Sequence, residues 1–395
     1  MNYKLPNLNL PDAFIDSLTA LRRDLHKNAE LSGMEMNTSK LILDFIRRCA
    51  PRKIISPMGG HGLGCIFQTG SAGPTLLFRA EMDALPIQEK NEHHYKSSTS
   101  DISHMCGHDG HMAIAAGLAG LLHANPPKRG KIILLFQPAE ETGQGATAIV
   151  NDPEYSALKP DYVFALHNMP GKEKGTVCIK SGAFNCASVG MTIKLAGKTA
   201  HASRPEDGKN PALPMCKIIQ ELTALPSASE FKDIFSMVTV VFARLGERSF
   251  GTAPGEAEIR ATLRCDEDRV MELLMKKAGH LVAKCVESRG LQHNISWREE
   301  FSASVNDEGA VEIVCAAAKK AGLKVAFLKQ PRRWSEDFGQ FTARYPGAMF
   351  LLGAGETCPP LHSPEYDFPD DLIQTGLGIY WEIINQVFKS KCDHN

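Results

Sequence analysis

Three short apolar runs in the first half of this 395-residue chain each lead directly into polar residues. The runs, each given with the polar residues that follow it, are 75–78 with Arg79–Asp83, 131–136 with Gln137–Glu141, and 162–166 with His167. Runs of this length bounded by polar residues predict buried β-strands. Because α/β proteins bind ligands beyond the carboxyl ends of their strands, the pattern predicts an α/β domain with a polar site there.

The densest group of metal-ligand residue types lies between the first two of these strands, in Ser103–His111. Cys106 and His108 are two positions apart, so on an extended segment they point to the same side. A thiolate and an imidazole placed in this way can hold one divalent cation, or one each of a pair. The alanine-rich segment that follows predicts a buried helix, and we expect its Gly117 and Gly120 to allow close approach to the sheet.

The remaining pattern predicts a second domain inside the first, as expected for a chain too long for one compact core. From Val189 onward apolar and polar residues alternate, which indicates strands with one buried face. The order β-α-β-β-α-β is typical of a small α+β sandwich of ferredoxin-like type. We predict one α/β domain of residues 1–188 and 305–395, with a mixed sheet flanked by helices, and an inserted domain of residues 189–304.

The composition excludes several partners and favours a reducing compartment. The formal net charge is -1, so there is no large basic field that would attract nucleic acid or anionic lipid. The eleven cysteines include no C-x-x-C pair, and their odd number suits reduced thiols. Neither a signal peptide nor a long apolar segment is evident. We therefore expect a cytoplasmic protein without membrane or nucleic-acid partners.

Residues far apart in the chain could close a metal site around the first cysteine and histidine. The candidate residues are Cys106, His108, Glu140, Glu141, His167 and His362, the last of them in a loop flanked by prolines. So many ligand types suit two divalent ions, which lower the pKa of a bridging water and polarise a carbonyl oxygen. A carboxylate outside the ligand set must then take and return the proton. The adjacent pair Glu140 and Glu141 can divide these tasks, because successive residues leaving a strand point in opposite directions.

Five motifs together resemble those of the M20 metallopeptidases, and the resemblance runs over nearly the whole chain. The motifs are Arg79–Pro86, Cys106–His111, Gln137–Glu141, Ala165–His167 and Ser335–Phe338. They are most similar to the aminoacylase-like branch, with its hippurate hydrolases, indole-3-acetyl–amino acid hydrolases and N-acetyl-diaminopimelate deacetylases. This resemblance implies a zinc-exopeptidase-like catalytic domain and an inserted domain that acts as a lid and forms a homodimer.

The resemblance also implies a role for each site residue. It implies two divalent metal ions per subunit, bound by Cys106, His108, Glu141, His167 and His362. Mixed sulfur, nitrogen and oxygen ligands admit Zn, Mn, Co or Ni. Glu140 would be the general base, Asp83 would orient a ligand, and His201, in a Gly-Lys-Thr-Ala-His motif, would reach the partner's active site and stabilise the oxyanion.

Two positions depart from the pattern of this branch. Members of the branch often carry an Asn-Val-Ile-Pro segment in the inserted domain, whereas this chain has Gly251–Pro254. The asparagine amide, which in the family could contact substrate, is therefore missing from this segment. The other departure is Ala29 before Glu30, where the family usually has proline. We expect the second change to alter only the exit of a helix.

The combined interpretation is a metal-dependent amidohydrolase that cleaves N-acyl amino acids to a carboxylate and a free amino acid. In this interpretation Glu140 activates a bridging hydroxide and returns the proton to the leaving nitrogen. Three alternatives remain: a dipeptidase with the same two-metal site, a non-catalytic metal-binding protein on the same scaffold, and an enzyme that uses Cys106 as a redox thiol or nucleophile.

Overall fold

The computed structural model describes residues 10–68, 70–232, 234–287 and 289–390. The α-helices, in chain order, are α1 Asp12–Lys27, α2 Met36–Arg47, α3 His108–Ala124, α4 Gly145–Val150, α5 Pro153–Ser156, α6 Ala212–Ala224, α7 Asp268–Glu287, α8 Glu308–Lys320, α9 Gly339–Thr342 and α10 Leu372–Ser390. The strands are β1 Lys53–Met58, β2 Gly62–Gln68, β3 Thr75–Glu81, β4 Lys131–Gln137, β5 Tyr162–Pro170, β6 Val177–Ile179, β7 Gly182–Asn185, β8 Ala187–Ala196, β9 Ala200–His201, β10 Ser236–Leu245, β11 Thr252–Ala253, β12 Glu256–Cys265, β13 Gln292–Phe301, β14 Ser304–Asn306, β15 Val325–Phe327 and β16 Gly347–Gly355.

The described chain forms two compact units. Among the described residues, the first unit comprises 10–184, Ser304–Gln330 and 337–390, and the second comprises Asn185–Ala303 and Pro331–Glu336. The second unit therefore interrupts the first along the sequence. Residues 331–336 belong to the second unit, whereas the sequence interpretation assigned them to the catalytic domain. The assignment of a catalytic role to the first unit and a lid role to the second stays a prediction.

The first unit is built on a mixed sheet with the order β1-β2-β4-β3-β5-β16-β6-β15. Its centre consists of β4, β3, β5 and β16, and these neighbouring strands are parallel to one another. Nearly every residue of these four strands is buried, which matches their almost uninterrupted apolar sequences. Since parallel strands end at the same edge, the residues after β3, β4 and β5 meet there. The predicted α/β class is confirmed.

Helix α3 is buried along almost its whole length, as its sequence predicts. The prediction that its glycines approach the sheet is wrong. A Cβ atom on Gly117 would lie 2.7 Å from a methyl group of Leu18 in α1, and one on Gly120 would lie 2.7 Å from the Phe14 ring. The glycines therefore let helix α1 pack closely on α3.

The second unit contains the antiparallel sheet β10-β12-β8-β13 with α6 and α7 packed against it. In β12 the apolar residues alternate with polar ones, and Ile259 and Leu263 are fully buried. Chain order gives β8-α6-β10-β12-α7-β13 once the two-residue strands β9 and β11 are set aside. This is the β-α-β-β-α-β order that the alternation predicts.

Candidate metal centre

The segment from Cys106 to His108 turns sharply into helix α3 because of one glycine. Gly107 has φ of 88° and precedes the first helical residue, His108. A Cβ atom at this position would lie 2.6 Å from Oδ1 of Asn168 and 2.7 Å from the hydroxyl of Tyr366. Only glycine accepts both the left-handed backbone and the close approach. The turn brings the Cys106 thiol and the His108 ring to the same side.

The predicted metal ligands converge in the first unit. Three groups of ligand atoms each lie within 4.8 Å of one another, namely Cys106 with His108 and His167, Cys106 with Glu141 and His362, and His108 with Glu140 and Glu141. The Sγ atom of Cys106 lies 3.4 Å from Nε2 of His167. Oε1 of Glu141 lies 4.0 Å from Nε2 of His108 and 3.8 Å from Nε2 of His362. Two ligands of one tetrahedral metal ion lie roughly 3.3–3.8 Å apart for ordinary bond lengths, so these separations are compatible with shared cations.

The two buried histidines present the ring nitrogen that a cation needs. Nδ1 of His108 lies 2.9 Å from the carbonyl oxygen of Asp83, and Nδ1 of His167 lies 2.8 Å from that of Asn168. In each ring the Nδ1–H group donates to the carbonyl, so Nε2 is the nitrogen that can bind a cation once it carries no proton. Nε2 of His108 is buried without a hydrogen-bond partner among the described residues. A divalent cation satisfies such an atom, so the residues present fit the metal ions that the family resemblance implies.

The electrostatic field of the cluster also favours a cation. Burial lowers the pKa of His108, but the Asp83 carboxylate and the charges of Glu81 and Glu141 outweigh it and raise that pKa to about 10. Burial, together with the charge of Glu141, raises the pKa of Cys106 well above its ordinary value. The same carboxylates that hold protons on these ligands would attract a metal ion in their place. A thiol with so high a pKa is a poor nucleophile, which disfavours the covalent or redox role for Cys106.

Glu140 and Glu141 lie on a tight turn directly after β4. Ala139 has φ of 51°, a left-handed conformation that is uncommon for a residue with a side chain. The amide of Glu141 donates to Oδ2 of Asp83 at 2.9 Å. Glu140 is 5% exposed, and its carboxylate belongs to the group with His108 and Glu141. The turn thus places two adjacent carboxylates at the cluster, as the sequence interpretation requires of a ligand and a base.

His362 approaches the cluster from the loop after β16. Its backbone has φ of 64°, and its amide donates to the carbonyl of Met105 at 2.8 Å. The loop is thereby tied to the segment that carries Cys106. The side chain of His362 is about half exposed, unlike those of His108 and His167. His362 therefore lies on the more exposed side of the cluster.

Asp83 touches more of the site than the sequence indicated. We predicted only that it orients a ligand, and its carbonyl accepts the Nδ1–H group of His108. Its Oδ1 atom lies 3.6 Å from the same nitrogen. Its Oδ2 atom accepts from the Ser32 hydroxyl at 2.7 Å and from the Glu141 amide. Asp83 thus contacts the segments that carry two of the predicted ligands.

The sequence interpretation missed a buried pair beside the cluster, formed by a histidine and a glutamate. Nδ1 of His111 lies 2.8 Å from Glu81, and both residues are almost fully buried. Glu81 also forms an ion pair with Arg79, which lowers its pKa well below the usual range despite the opposing effect of burial. Glu81, His108 and His111 form a further group of ligand types within 4.8 Å. The signal was present, because Glu81 and Asp83 alternate at one strand end and His108 and His111 lie one helical turn apart.

His201 belongs to the second unit, whereas the candidate metal ligands belong to the first. It occupies β9, is exposed, and has Nδ1 2.7 Å from the Ser203 hydroxyl. Its partner across the two-stranded sheet is Thr252. The segment Gly251–Pro254, which departs from the family pattern, therefore lies beside His201. The role of His201 stays a prediction.

A comparison with protein families adds a separate observation. The model for peptidase family M20/M25/M40 matches residues 77–386, which is more than half of the chain and includes the whole metal cluster. The chain belongs to peptidase family M20/M25/M40. This membership confirms the resemblance on which the sequence interpretation relied, and with it the predicted enzyme class, a metal-dependent amidohydrolase.

Individual members of peptidase family M20/M25/M40 resemble the chain over most of its length. It is 33% identical to the N-acetyl-L-cysteine deacetylase of Bacillus subtilis (strain 168) over 340 residues, 85% of this chain and 80% of that protein. It is 28% identical to the hippurate hydrolase of Campylobacter jejuni over 371 residues, 93% and 96% of the two chains. A crystal structure from Bacillus subtilis, described as a dinuclear metal binding peptidase from the M20 family, superimposes with a TM-score of 0.80 at 24% identity over 95% of this chain and 98% of that one. The last likeness confirms the fold.

Proposed function

We propose that this enzyme hydrolyses the amide bond of N-acyl amino acids and releases a carboxylate and a free amino acid. The observation that carries the proposal is the position of Glu140, a buried carboxylate grouped with two predicted ligands on a turn that also carries one of them. A general base must lie beside the metal ligands without belonging to them. The related deacetylase and hippurate hydrolase are named for the cleavage of such amides.

The proposed mechanism assigns a separate task to each residue. We propose that Cys106, His108, Glu141, His167 and His362 bind two divalent ions, in line with the dinuclear site named for the structural relative. When bound, such ions lower the pKa of a coordinated water and polarise a carbonyl oxygen. Glu140 takes a proton from the attacking water and returns it to the leaving nitrogen. Zn, Mn, Co and Ni are all admitted by this mixture of ligands.

We further propose that two copies of the chain form the working enzyme through the second unit. The edge strand β10 exposes apolar side chains, with Val241 61% and Phe242 43% exposed. A long edge strand of this kind is suited to pair with a second copy. In the dimer, His201 of the partner subunit would stabilise the oxyanion that forms at the cleaved amide.

The proposed substrate is a small molecule, and the proposed compartment is the cytoplasm. The described cysteines form no disulfide bond with one another, which suits a reducing environment. Among the described residues no helix combines the length and apolarity needed to cross a bilayer. The near-zero net charge gives no reason to expect a nucleic-acid partner.

A substrate panel combined with metal analysis tests the proposal. The purified enzyme is analysed for metal content and then assayed with acetyl, benzoyl and indoleacetyl amino acids and with unmodified dipeptides. We expect turnover of one or more acyl amino acids that a chelator abolishes and a divalent metal restores. Turnover of dipeptides alone would instead identify a dipeptidase. Metal binding without turnover of any amide would favour the non-catalytic alternative.

A further inference from the structure

Two buried carboxylates hold alternate backbone amides of the turn that carries the proposed base. Oε1 of Glu35 accepts the amide of Ala139 at 2.8 Å, and Oδ2 of Asp83 accepts the amide of Glu141 at 2.9 Å. The residue between these two amides is Glu140. Asp83 was expected at the site from the sequence, whereas Glu35 lies more than 100 positions before the turn and was not.

The same two carboxylates also hold the loop that precedes helix α2. The amide of Gly33 donates to Oε1 of Glu35 at 2.8 Å, and the hydroxyl of Ser32 donates to Oδ2 of Asp83 at 2.7 Å. Each carboxylate oxygen therefore joins this loop to the turn. The turn is fixed from outside at both ends, so its conformation depends on residues that do not belong to it.

The conformation that Glu35 supports is one that the turn would not adopt readily by itself. Ala139 has φ of 51°, where the Cβ atom crowds the backbone. A hydrogen bond from the amide to a charged acceptor is stronger than one to a neutral group and can offset this strain. Within the turn, the amide of Gly145 donates to the Ala139 carbonyl at 3.0 Å. Both polar backbone groups of Ala139 are thus paired while its φ is positive.

Glu35 differs from an ordinary helix-capping residue because its carboxylate is buried and only one of its oxygens is hydrogen-bonded among the described residues. Its side chain is fully buried, and Oε2 has no hydrogen-bond partner among the described residues. Burial raises its pKa. By contrast, Glu30 uses both oxygens at the start of α2, where it accepts the amides of Asn37 and Thr38. Glu30 stabilises a helix end, whereas Glu35 leaves one oxygen unpaired and uses the other on the catalytic turn.

We propose that Glu35 is a positioning residue that holds Ala139 in its left-handed conformation and thereby aims Glu140 at the reacting water. The proposal rests on the proposed function, since it assigns the base role to Glu140. Glu35 acts only through the backbone of the turn. Loss of the bond would let the turn relax and move the Glu140 carboxylate, while the side chains of Cys106, His108 and His167 would keep their places.

The test compares Glu35→Ala with Glu35→Gln and with the control Glu30→Ala. At full metal occupancy we expect Glu35→Ala to lower kcat about 10- to 100-fold with little change in KM. Glu35→Gln keeps an oxygen for the two amides and should retain most of the activity. Glu30→Ala should lower the unfolding temperature but leave kcat near the wild-type value.

Replacing Ala139 by glycine should restore kcat if Glu35 acts by holding the turn, and should not if Glu35 only stabilises the fold. Glycine adopts positive φ without crowding, so Ala139→Gly in the Glu35→Ala background should restore part of the lost kcat. Equal losses of kcat in Glu35→Ala and Glu30→Ala, or no rescue by Ala139→Gly, would overturn the proposal. If Glu35→Ala does not fold, Glu35→Gln gives the comparison, and loss of most of its kcat at full metal occupancy would overturn the proposal.

Hydrogen exchange separates this proposal from the proposed function. In metal-free protein, Glu35→Ala should accelerate amide exchange in a peptide spanning residues 137–145, and Glu30→Ala should not. This result does not depend on any substrate. If the exchange differs as expected but no acyl amino acid is hydrolysed, the support of the turn stands and the substrate assignment fails. Unchanged exchange in Glu35→Ala would refute the positioning role.

Discussion

The Sγ atom of Cys106 lies 3.4 Å from Nε2 of His167, although 61 positions separate the two residues in the chain. Cys106 precedes helix α3, and His167 lies on β5. They meet because β5 is parallel to its neighbours in the sheet and ends at the same edge. The neutral thiol of Cys106 can donate to Nε2 of His167, and a divalent cation bound by both atoms would take the place of that proton.

The first prediction concerns the thiol. Cys106 belongs to two of the three predicted ligand groups, so Cys106→Ala should lower metal affinity at least about tenfold. The matched control is Cys216→Ala, at an exposed cysteine in α6 of the second unit. Titration of the metal-free proteins followed by calorimetry measures both affinities. Equal affinity in Cys106→Ala and wild type would remove the thiol from the ligand set.

The second prediction concerns the proposed base. Glu140→Gln keeps the size of the side chain but cannot take a proton, so kcat should fall by a factor of about 10² to 10⁴. Metal content should stay unchanged, because Glu141 supplies the ligand. Glu154→Gln, at a carboxylate in α5 that pairs with Lys53 at 2.7 Å, serves as the control. Wild-type turnover in metal-loaded Glu140→Gln would exclude Glu140 as the base.

The third prediction concerns a buried histidine at the end of helix α1. Nδ1 of His26 lies 2.9 Å from Asp109, and Nε2 lies 3.3 Å from Glu89. Burial lowers the pKa of His26, but the hydrogen bonds with these carboxylates outweigh it and raise that pKa to about 9. The protonated ring therefore stabilises the folded state. Its contribution is complete below pH 6.5, the usual histidine value, and is lost as the pH rises through 9.

Urea unfolding of metal-free protein at several pH values measures this contribution. The rise in the His26 pKa from 6.5 to about 9 corresponds to about 3 kcal/mol in the free energy of unfolding between low and high pH. The difference in that free energy between wild type and His26→Gln should be largest below pH 6.5 and should shrink towards pH 9. A difference that stays constant or grows over this range would show that His26 is not charged in the folded protein.

The fourth prediction concerns the proposed homodimer. Val241 is 61% exposed on the edge strand β10, so a second copy could cover it. Val241→Asp should weaken self-association, because the charge would be buried without a partner at the interface. Asn294→Asp on β13, the opposite edge of the same sheet, is the control. Sedimentation velocity measures the association. A wild-type protein that stays monomeric at micromolar concentration would contradict the proposal.

The sequence predicted the parts of the fold that depend on local patterns. The bounds of α1 follow from its apolar spacing, and β3, β4 and β5 follow from their apolar runs. The sequence interpretation did not predict β1 or the three-residue strands β6 and β15. Strands at or near the edges of a sheet depend on pairing with a neighbour more than on their own composition.

The sequence predicted the site residues that directly follow a strand. It missed those whose position depends on tertiary contacts. Helix α3 starts at His108, four residues before the expected Met112. Its polar first turn reads as a loop, yet Asp109 is buried because His26 and Arg22 pair with it. Glu35 was missed for the same reason. Its proposed function depends on a contact with the backbone amide of Ala139, and a backbone contact cannot be predicted from residue types.

The most direct test of the whole account is a crystal structure of the enzyme soaked with Mn²⁺ or Zn²⁺, with anomalous diffraction recorded at the metal edge. The account predicts two anomalous peaks about 3.5–4 Å apart, within bonding distance of the predicted ligands. Those ligands are Cys106, His108, Glu141, His167 and His362. A single peak, or peaks coordinated by other residues, would contradict the account.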